Sequence, residues 1–136
     1  MKNRAKERPV SRRSDGSERR KHRSADLGQA LQLQLDACRA DGGVDAILVS
    51  DDLGLCVASS GVGQKRDELA ARIPPAAVAG LNTLPAGEPS IGHSTAFKSF
   101  VVDRSELFVC VVGGKPENQA ASIDRAENGF RRILAA

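Results

Sequence analysis

The sequence contains no tryptophan and no tyrosine, and only four phenylalanines among its 136 residues. Pockets for haem or flat aromatic ligands are usually lined by aromatic side chains, so this composition argues against a ligand-sensing module of that kind. Long apolar runs are also missing. None approaches the roughly 18 consecutive apolar residues of a membrane-spanning helix, and the basic first residues lack the apolar stretch of a secretory signal. We therefore expect a soluble, cytoplasmic protein.

Cysteine and histidine are scarce. Cys38, Cys56 and Cys110 are widely spaced and lie in apolar patterns, so we expect buried, reduced thiols rather than disulfides or metal ligands. His93 is the only histidine after the basic first residues, and Ser94 beside it would point to the opposite face of a strand. The sequence therefore predicts no catalytic nucleophile, no metal site and no cofactor.

Positive charge is concentrated at the start of the chain. Residues 1–24 carry 10 of the 20 Lys and Arg but 3 of the 17 acidic residues, a charge of +7, whereas the rest (10 − 14) carries −4. This segment has almost no apolar side chains and is predicted to be a disordered tail before one folded domain at 25–136. Its basic cluster at 19–23 could attach to nucleic acid or an anionic membrane, and we expect such binding through the tail only.

The hydrophobic spacing predicts an α+β domain with an antiparallel sheet. Residues 107–112 are apolar at every position, which is typical of a central strand covered on both faces. Pro74 and Pro75 each lack a backbone donor, so the second helix is predicted to be split there. In the order α-β-β-α-β-β-β-α, the predicted elements are a helix ending at 42–43, strands at 44–50 and 55–59, a helix starting near 64, strands at 90–97, 98–103 and 107–112, and a helix at 117–136.

Asp51 and Asp52 stand together at the end of an apolar run. Paired carboxylates after a strand can hold a divalent cation for phosphoryl transfer, but a helix and a parallel sheet would accompany them there. Here Leu53-Gly54 and a second β-rich run follow, a composition that favours a hairpin turn. We therefore do not expect an enzyme or a small-molecule substrate.

Three stretches carry a resemblance to a known family. VDAILVSDDLGLCVASSG, the helix start DELAARI, and FVVDRSELFVCVVGG before a final amphipathic helix make residues 25–135 resemble the roadblock/dynein light chain family. The resemblance implies a longin/profilin-like sandwich: a five-stranded antiparallel sheet in the order 2-1-5-4-3, with helices 1 and 3 on one face and helix 2 on the other. Family members dimerise by pairing the edges of strand 3, which here implies the edge Ile91, His93, Thr95 and Phe97.

An Ala-rich second helix is also a thin cover for one sheet face, and strand 3 offers an unpaired edge, so the residues themselves favour a homodimer. The resemblance further implies a non-enzymatic adaptor that binds a small Ras-like GTPase, with or without stimulation of GTP hydrolysis. The expected partner surface is the start of helix 2, formed by Lys65, Arg66, Glu68, Leu69 and Arg72. The alternative is a structural scaffold or light-chain-like subunit with the basic tail as an electrostatic tether.

Overall fold

The computed structural model describes residues 26–84 and 94–135. The predicted tail and the expected edge residues Ile91 and His93 lie outside these ranges. None of the helices in the described ranges is long and apolar enough to cross a membrane. The elements are helix α1 (26–42), strands β1 (Ala46–Asp51) and β2 (Cys56–Ser60), a short 3-10 turn (Gly63–Lys65), helix α2 (Arg66–Val78), strands β3 (Thr95–Val102) and β4 (Ser105–Val112), and helix α3 (Pro116–Ala135).

Helix α1 forms and ends where the sequence predicts. Leu31, Leu35 and Cys38 recur at helical spacing and are all buried, so one stripe of the helix packs on the sheet. The helix stops at Gly43, whose φ of 69° is a left-handed conformation that costs glycine little.

The sheet has the order β2-β1-β4-β3, and each neighbouring pair is antiparallel. Strand β4 lies between β1 and β3, with Leu48 and Phe97 on either side of Cys110. Its residues Leu107–Val112 are buried on both faces. The central position predicted for this apolar run is therefore confirmed.

The predicted count of five strands is not reproduced in the described residues. The sequence pattern predicts a break between Phe97 and Lys98, but the structure has one continuous strand from Thr95 to Val102. No Gly, Pro or Asn occurs between these two ends to form a turn, and the register with β4 runs unbroken from Thr95↔Val112 to Val102↔Ser105. Four strands are seen, with β3 at the edge.

Two cores form on opposite faces of the sheet. We call the face covered by α1 and α3 the two-helix face; its core is centred on the buried side chains of Leu35, Val109 and Phe130. We call the other the one-helix face, because α2 is the one helix of the described residues that covers it; Ile73, Phe97 and Phe108 are buried there. Helices therefore lie on both faces, as the resemblance implied.

Helix α2 is not split at the prolines. It continues from Arg66 to Val78 through Pro74 and Pro75, although neither proline can donate a hydrogen bond to the preceding turn. Ile73 before the prolines and Ala76 after them are both buried against the sheet. This packing on either side of the prolines outweighs the local preference for a break.

The end of α2 is closed by its own backbone. The amide of Gly80, at φ 83°, donates to the carbonyl of Ala77 at 2.9 Å, and the amide of Leu81 donates to that of Ala76 at 3.0 Å. This is the pattern of a Schellman cap, which satisfies carbonyls that the helix end would leave exposed. The segment after α2 is thereby directed across to the edge strand β3.

Candidate interaction surface

The acidic pair after β1 forms a hairpin turn. Asp51 Oδ1 accepts from the amides of Leu53 and Leu55, both at 2.9 Å, and the amide of Gly54 donates to the Asp51 carbonyl at 3.1 Å. Gly54 has φ 84°. The Asp51 carboxylate therefore stabilises the hairpin turn by accepting hydrogen bonds from its backbone, as in an Asx turn. In the described ranges no cluster of three or more His, Cys, Asp or Glu could hold a metal ion.

This turn packs directly on α2. A Cβ added at Gly54 would lie 3.1 Å from the Cα of Ala71 and 3.5 Å from the carbonyl oxygen of Ala70. The carbonyl of Ala70 is the one that Pro74, four residues later, cannot bond. A glycine at this position therefore lets the turn approach the helix where the prolines have freed the backbone.

The residues expected at the start of α2 are only partly available to a partner. Lys65, Arg66 and Glu68 are exposed, and Arg72 is half-buried. Leu69, by contrast, is 1% exposed and belongs to the core of the one-helix face. Leu69 is buried because it lies on the side of the helix that meets the sheet, so a partner can touch the three exposed residues but not Leu69.

An apolar stripe follows these charged residues along the outside of α2. We use the name outer stripe for Ala71, Pro75 and Val78, which are spaced by four and three residues and are all exposed. Val78 is 90% exposed, and Leu53 on the neighbouring hairpin turn is 79% exposed. Apolar groups gathered in this way on one face of a helix are typical of an interaction surface.

A groove of about 360 Å³ lies between the end of α2 and the edge strand β3. Its floor contains Phe97 and Phe108, whose rings meet edge to face with centroids 6.3 Å apart. Leu81 and Asn82 form one wall, and Ser99 of β3 forms the other. The groove is the part of the one-helix face that α2 does not cover.

The edge of β3 is partly closed by two contacts from elsewhere in the chain. The amide N–H of Phe97 donates to the carbonyl of Asn82 at 2.9 Å. At the other end, Arg131 Nη1 of α3 donates to the carbonyl of Val101 at 2.8 Å. Thr95 and Phe97, both expected at a dimer edge, do lie on this edge strand, with side chains buried toward α2.

The Arg131 contact is held in place by a charged cluster. Arg131 donates to Glu127 at 2.9 and 3.0 Å and stacks over the Phe100 ring at 5.7 Å, and Lys98 lies 2.9 Å from Glu127. Burial disfavours the Glu127 carboxylate, but the hydrogen bonds from Lys98 and Arg131 outweigh it and lower its pKa. The hydrogen bond to Glu127 likewise raises the pKa of Lys98.

The three cysteine thiols have raised pKa values, which lowers their reactivity. Cys38 and Cys110 are buried and Cys56 is half-buried, and all are free. Burial raises the pKa of Cys110 to about 12 and shifts those of Cys38 and Cys56 upward as well. These thiols are therefore protonated at neutral pH, and a protonated thiol is a poor nucleophile.

Four residues at the β3 edge were missed from the sequence: Asn82, Ser99, Val101 and Arg131. Val101 and Ser99 could have been found, because they continue the alternation that starts at Thr95 and Phe97. Asn82 and Arg131 reach the edge from distant segments, so no local pattern marks them.

A four-stranded antiparallel sheet with two helices on one face and one on the other defines a roadblock-type fold. Two solved structures share it. Gliding protein MglB from Thermus thermophilus superimposes with a TM-score of 0.59 and 16% identity, covering 80% of this chain and 91% of that one. Myxococcus xanthus MglB gives a TM-score of 0.54 and 14% identity, covering 79% and 90%. No family sequence model and no curated protein matches the chain.

Proposed function

We propose that this chain is a non-enzymatic, dimeric regulator that binds a small Ras-like GTPase. The proposal is supported by the MglB-like fold, which extends over about 80% of the chain. It is also supported by an exposed apolar and charged surface on α2 that is suited to a protein partner.

The observation that carries the proposal is the outer face of α2. The outer stripe supplies exposed apolar area, and Lys65, Arg66 and Glu68 border it at the start of the helix. Protein interfaces commonly combine an apolar centre with a polar rim. In a dimer joined along the β3 edges, two such helices would form one continuous surface.

Regulation would follow from unequal affinity for the two nucleotide states. A partner whose switch loops change shape with GTP can be bound more tightly in one state, and such binding shifts its population toward that state. Any stimulation of hydrolysis would come from positioning the partner's own loops and water.

The proposal is tested by retention of Ras-like GTPases on the immobilised full-length chain. We expect a GTPase loaded with a non-hydrolysable GTP analogue to bind at least about tenfold more tightly than its GDP form, because a smaller ratio shifts the population little. Arg66→Ala should weaken this binding, since Arg66 is exposed beside the outer stripe and its ion pair is with its exposed neighbour Asp67, at 3.4 Å. Arg132→Ala, an exposed arginine on α3 of the two-helix face, is the matched control and should bind normally.

Equal retention of the GTP and GDP forms would contradict the regulatory role. That result would favour the structural scaffold, for which the nucleotide state of a partner is irrelevant. If Arg66→Ala and Arg132→Ala weaken GTPase binding equally, the GTPase does not bind specifically at the outer face of α2.

A further inference from the structure

Two carbonyl groups of α2 lack the hydrogen bonds that a helix normally gives them. In an α-helix each carbonyl accepts from the N–H four residues later, and proline has no N–H. Pro74 and Pro75 therefore leave the carbonyls of Ala70 and Ala71 without their helical donors, although α2 continues through both prolines. The middle of this helix thus presents two backbone acceptors to whatever lies beside them.

Both acceptors lie next to the hairpin turn that contains Gly54. A Cβ added at Gly54 would lie 3.5 Å from the Ala70 oxygen and 3.7 Å from the Ala71 oxygen. The nearby amides of the turn do not supply the missing donors, because the amides of residues 53–55 all donate to Asp51. Contact with the turn therefore brings the two carbonyls no N–H from these three residues.

The two acceptors differ in their access to a partner. Ala70 is fully buried and belongs to the core of the one-helix face. Ala71 and Pro75 are exposed members of the outer stripe, and a helix carbonyl points toward the residue four positions later. Carbonyls on the solvent side of a helix also tilt outward. The Ala71 carbonyl therefore lies on the outer face of α2, within the outer stripe.

The surroundings of this carbonyl suit a cationic donor. Leu53 of the hairpin turn is 79% exposed beside it, and Asp52 of the same turn is exposed as well. Arg72, the next residue of α2, is half-buried, and its charge acts on the buried Cys110 of the sheet. A charged N–H group forms stronger hydrogen bonds with such oxygens than a neutral one does. A carbonyl oxygen and a carboxylate are thus placed for a positive group that approaches from outside.

We propose that the Ala71 carbonyl is the polar anchor of the outer stripe and accepts a hydrogen bond from a lysine or arginine side chain of the protein partner. The inference rests on the proposed function and gives that partner a chemical feature, a basic side chain within an apolar patch. Because Pro75 gives this carbonyl no donor, the new bond breaks no helical hydrogen bond. Apolar contacts with Leu53 and Val78 would surround the bond and exclude water from it, which strengthens it.

Valine at the second proline position tests the inference in the full-length chain. Pro75→Val restores the N–H that bonds to the Ala71 carbonyl and keeps an apolar side chain in the outer stripe. The variant should unfold at a higher temperature, because proline is the less favourable residue inside a helix. It should bind a Ras-like GTPase loaded with the GTP analogue about tenfold or more weakly, as expected when a hydrogen bond to a charged group is lost. Damage to the fold would not combine higher stability with weaker binding.

Pro74→Val is the matched control. It restores the donor for the carbonyl of the buried Ala70 and removes a proline from the same helix, but leaves the Ala71 carbonyl without its donor. This variant should also unfold at a higher temperature, yet it should bind the GTPase as the wild type does. Equal losses of binding in Pro74→Val and Pro75→Val would overturn the inference, because the shape of the helix and not the Ala71 carbonyl would then control binding.

The charge of the partner's donor is tested at Asp52. Asp52→Asn should weaken retention of the GTPase about threefold at low ionic strength, and less in high salt, because salt screens exposed charges. Asp103→Asn, an exposed aspartate in the turn between β3 and β4, is the matched control and should bind normally. Unchanged retention by Asp52→Asn at low ionic strength would overturn the assignment of a lysine or arginine.

The outcomes separate this inference from the proposed function. If the wild type retains the GTP form of the GTPase and Pro75→Val retains it equally well, the inference is overturned and the proposed function stands. If the wild type retains the GTPase in neither nucleotide state, the proposed function is overturned and the inference falls with it.

Discussion

The helices cover the two faces of the sheet to different extents. On the two-helix face, α1 and α3 enclose a core in which Leu35, Val109 and Phe130 are fully buried. On the one-helix face, α2 buries Ile73 equally well but leaves a groove of about 360 Å³ over Phe97. The same sheet thus has one closed side and one side with room beside the helix.

Simple dimensions explain the difference. A helix with its side chains is about 10 Å across, whereas four strands spaced about 4.8 Å apart make a sheet about 14 Å wide between its outer strands. Two helices cover that width and one does not. Helix α2 is drawn toward β1 and β2 by the close packing of Gly54 against Ala71, so the uncovered part falls at β3.

The largest expected effect comes from truncating the closed face. Phe130→Ala removes a fully buried ring that meets Phe100 edge to face at 6.4 Å, and should lower the free energy of unfolding by about 3–5 kcal/mol. Phe97 lines the groove, where solvent can fill the space left by a smaller side chain. Phe97→Ala should therefore lower the free energy of unfolding by less, about 2–3 kcal/mol. Urea unfolding at low protein concentration measures both without a contribution from association.

Comparing the stability losses of these two variants tests whether the one-helix face is less tightly packed than the two-helix face. If Phe97→Ala costs as much as Phe130→Ala, the one-helix face is as tightly closed as the other. The groove would then not be open space in solution.

A smaller and more selective effect is expected from the outer stripe. Val78→Lys should leave the unfolding temperature nearly unchanged, because Val78 is 90% exposed and a cation suits the last turn of a helix. It should weaken the proposed self-association or the proposed binding of a Ras-like GTPase by about tenfold or more, since a charge replaces apolar contact area. Analytical ultracentrifugation and the GTPase retention assay measure these two associations.

Leu33→Lys is the matched control for this substitution. Leu33 is 59% exposed on α1, on the opposite side of the molecule. If Leu33→Lys weakens association as much as Val78→Lys does, the two-helix face takes part in binding, and the distinction between the faces fails for function.

How far the fold follows from the sequence depends on whether the signal for each element is local. Three features were predictable because their signals are local: the helical spacing of Leu31, Leu35 and Cys38, the uniformly apolar β4, and the Asp51 turn. The predicted split of α2 at its prolines was wrong, because the burial of Ile73 and Ala76 keeps the helix continuous and depends on the sheet beneath them.

The candidate site was predictable only in outline. Periodicity located the start of α2, yet the face on which Leu69 lies was settled by packing. The bonded backbone groups of Phe97 and Val101 depend on Asn82 and Arg131, which reach the edge from 15 and 30 residues away in the chain. Contacts between distant segments leave no local pattern, and this is why the sequence alone does not indicate which backbone groups of the edge are already bonded.

The smallest expected effect concerns the charged cluster that holds Arg131 at the edge. The pKa of Glu127 lies below its ordinary value of 4.5, so its ionised form stabilises the fold at neutral pH. This contribution should be present above pH 4.5 and disappear as the pH falls through the lowered pKa. Lys98 and Arg131 are half exposed, so solvent screening keeps the contribution of Glu127 below about 1 kcal/mol.

Glu127→Gln isolates this effect. The wild type should be slightly more stable than the variant at pH 7, and the difference should shrink as unfolding is followed down through pH 4.5, because protonated Glu127 then resembles glutamine. Asp124→Asn is the matched control: its carboxylate lies 3.9 Å from Lys98, beyond hydrogen-bond distance, and should matter less. A stability difference between wild type and Glu127→Gln that stayed constant with pH would mean that Glu127 acts through packing and not through charge, and Arg131 would then hold the Val101 carbonyl without help from that carboxylate.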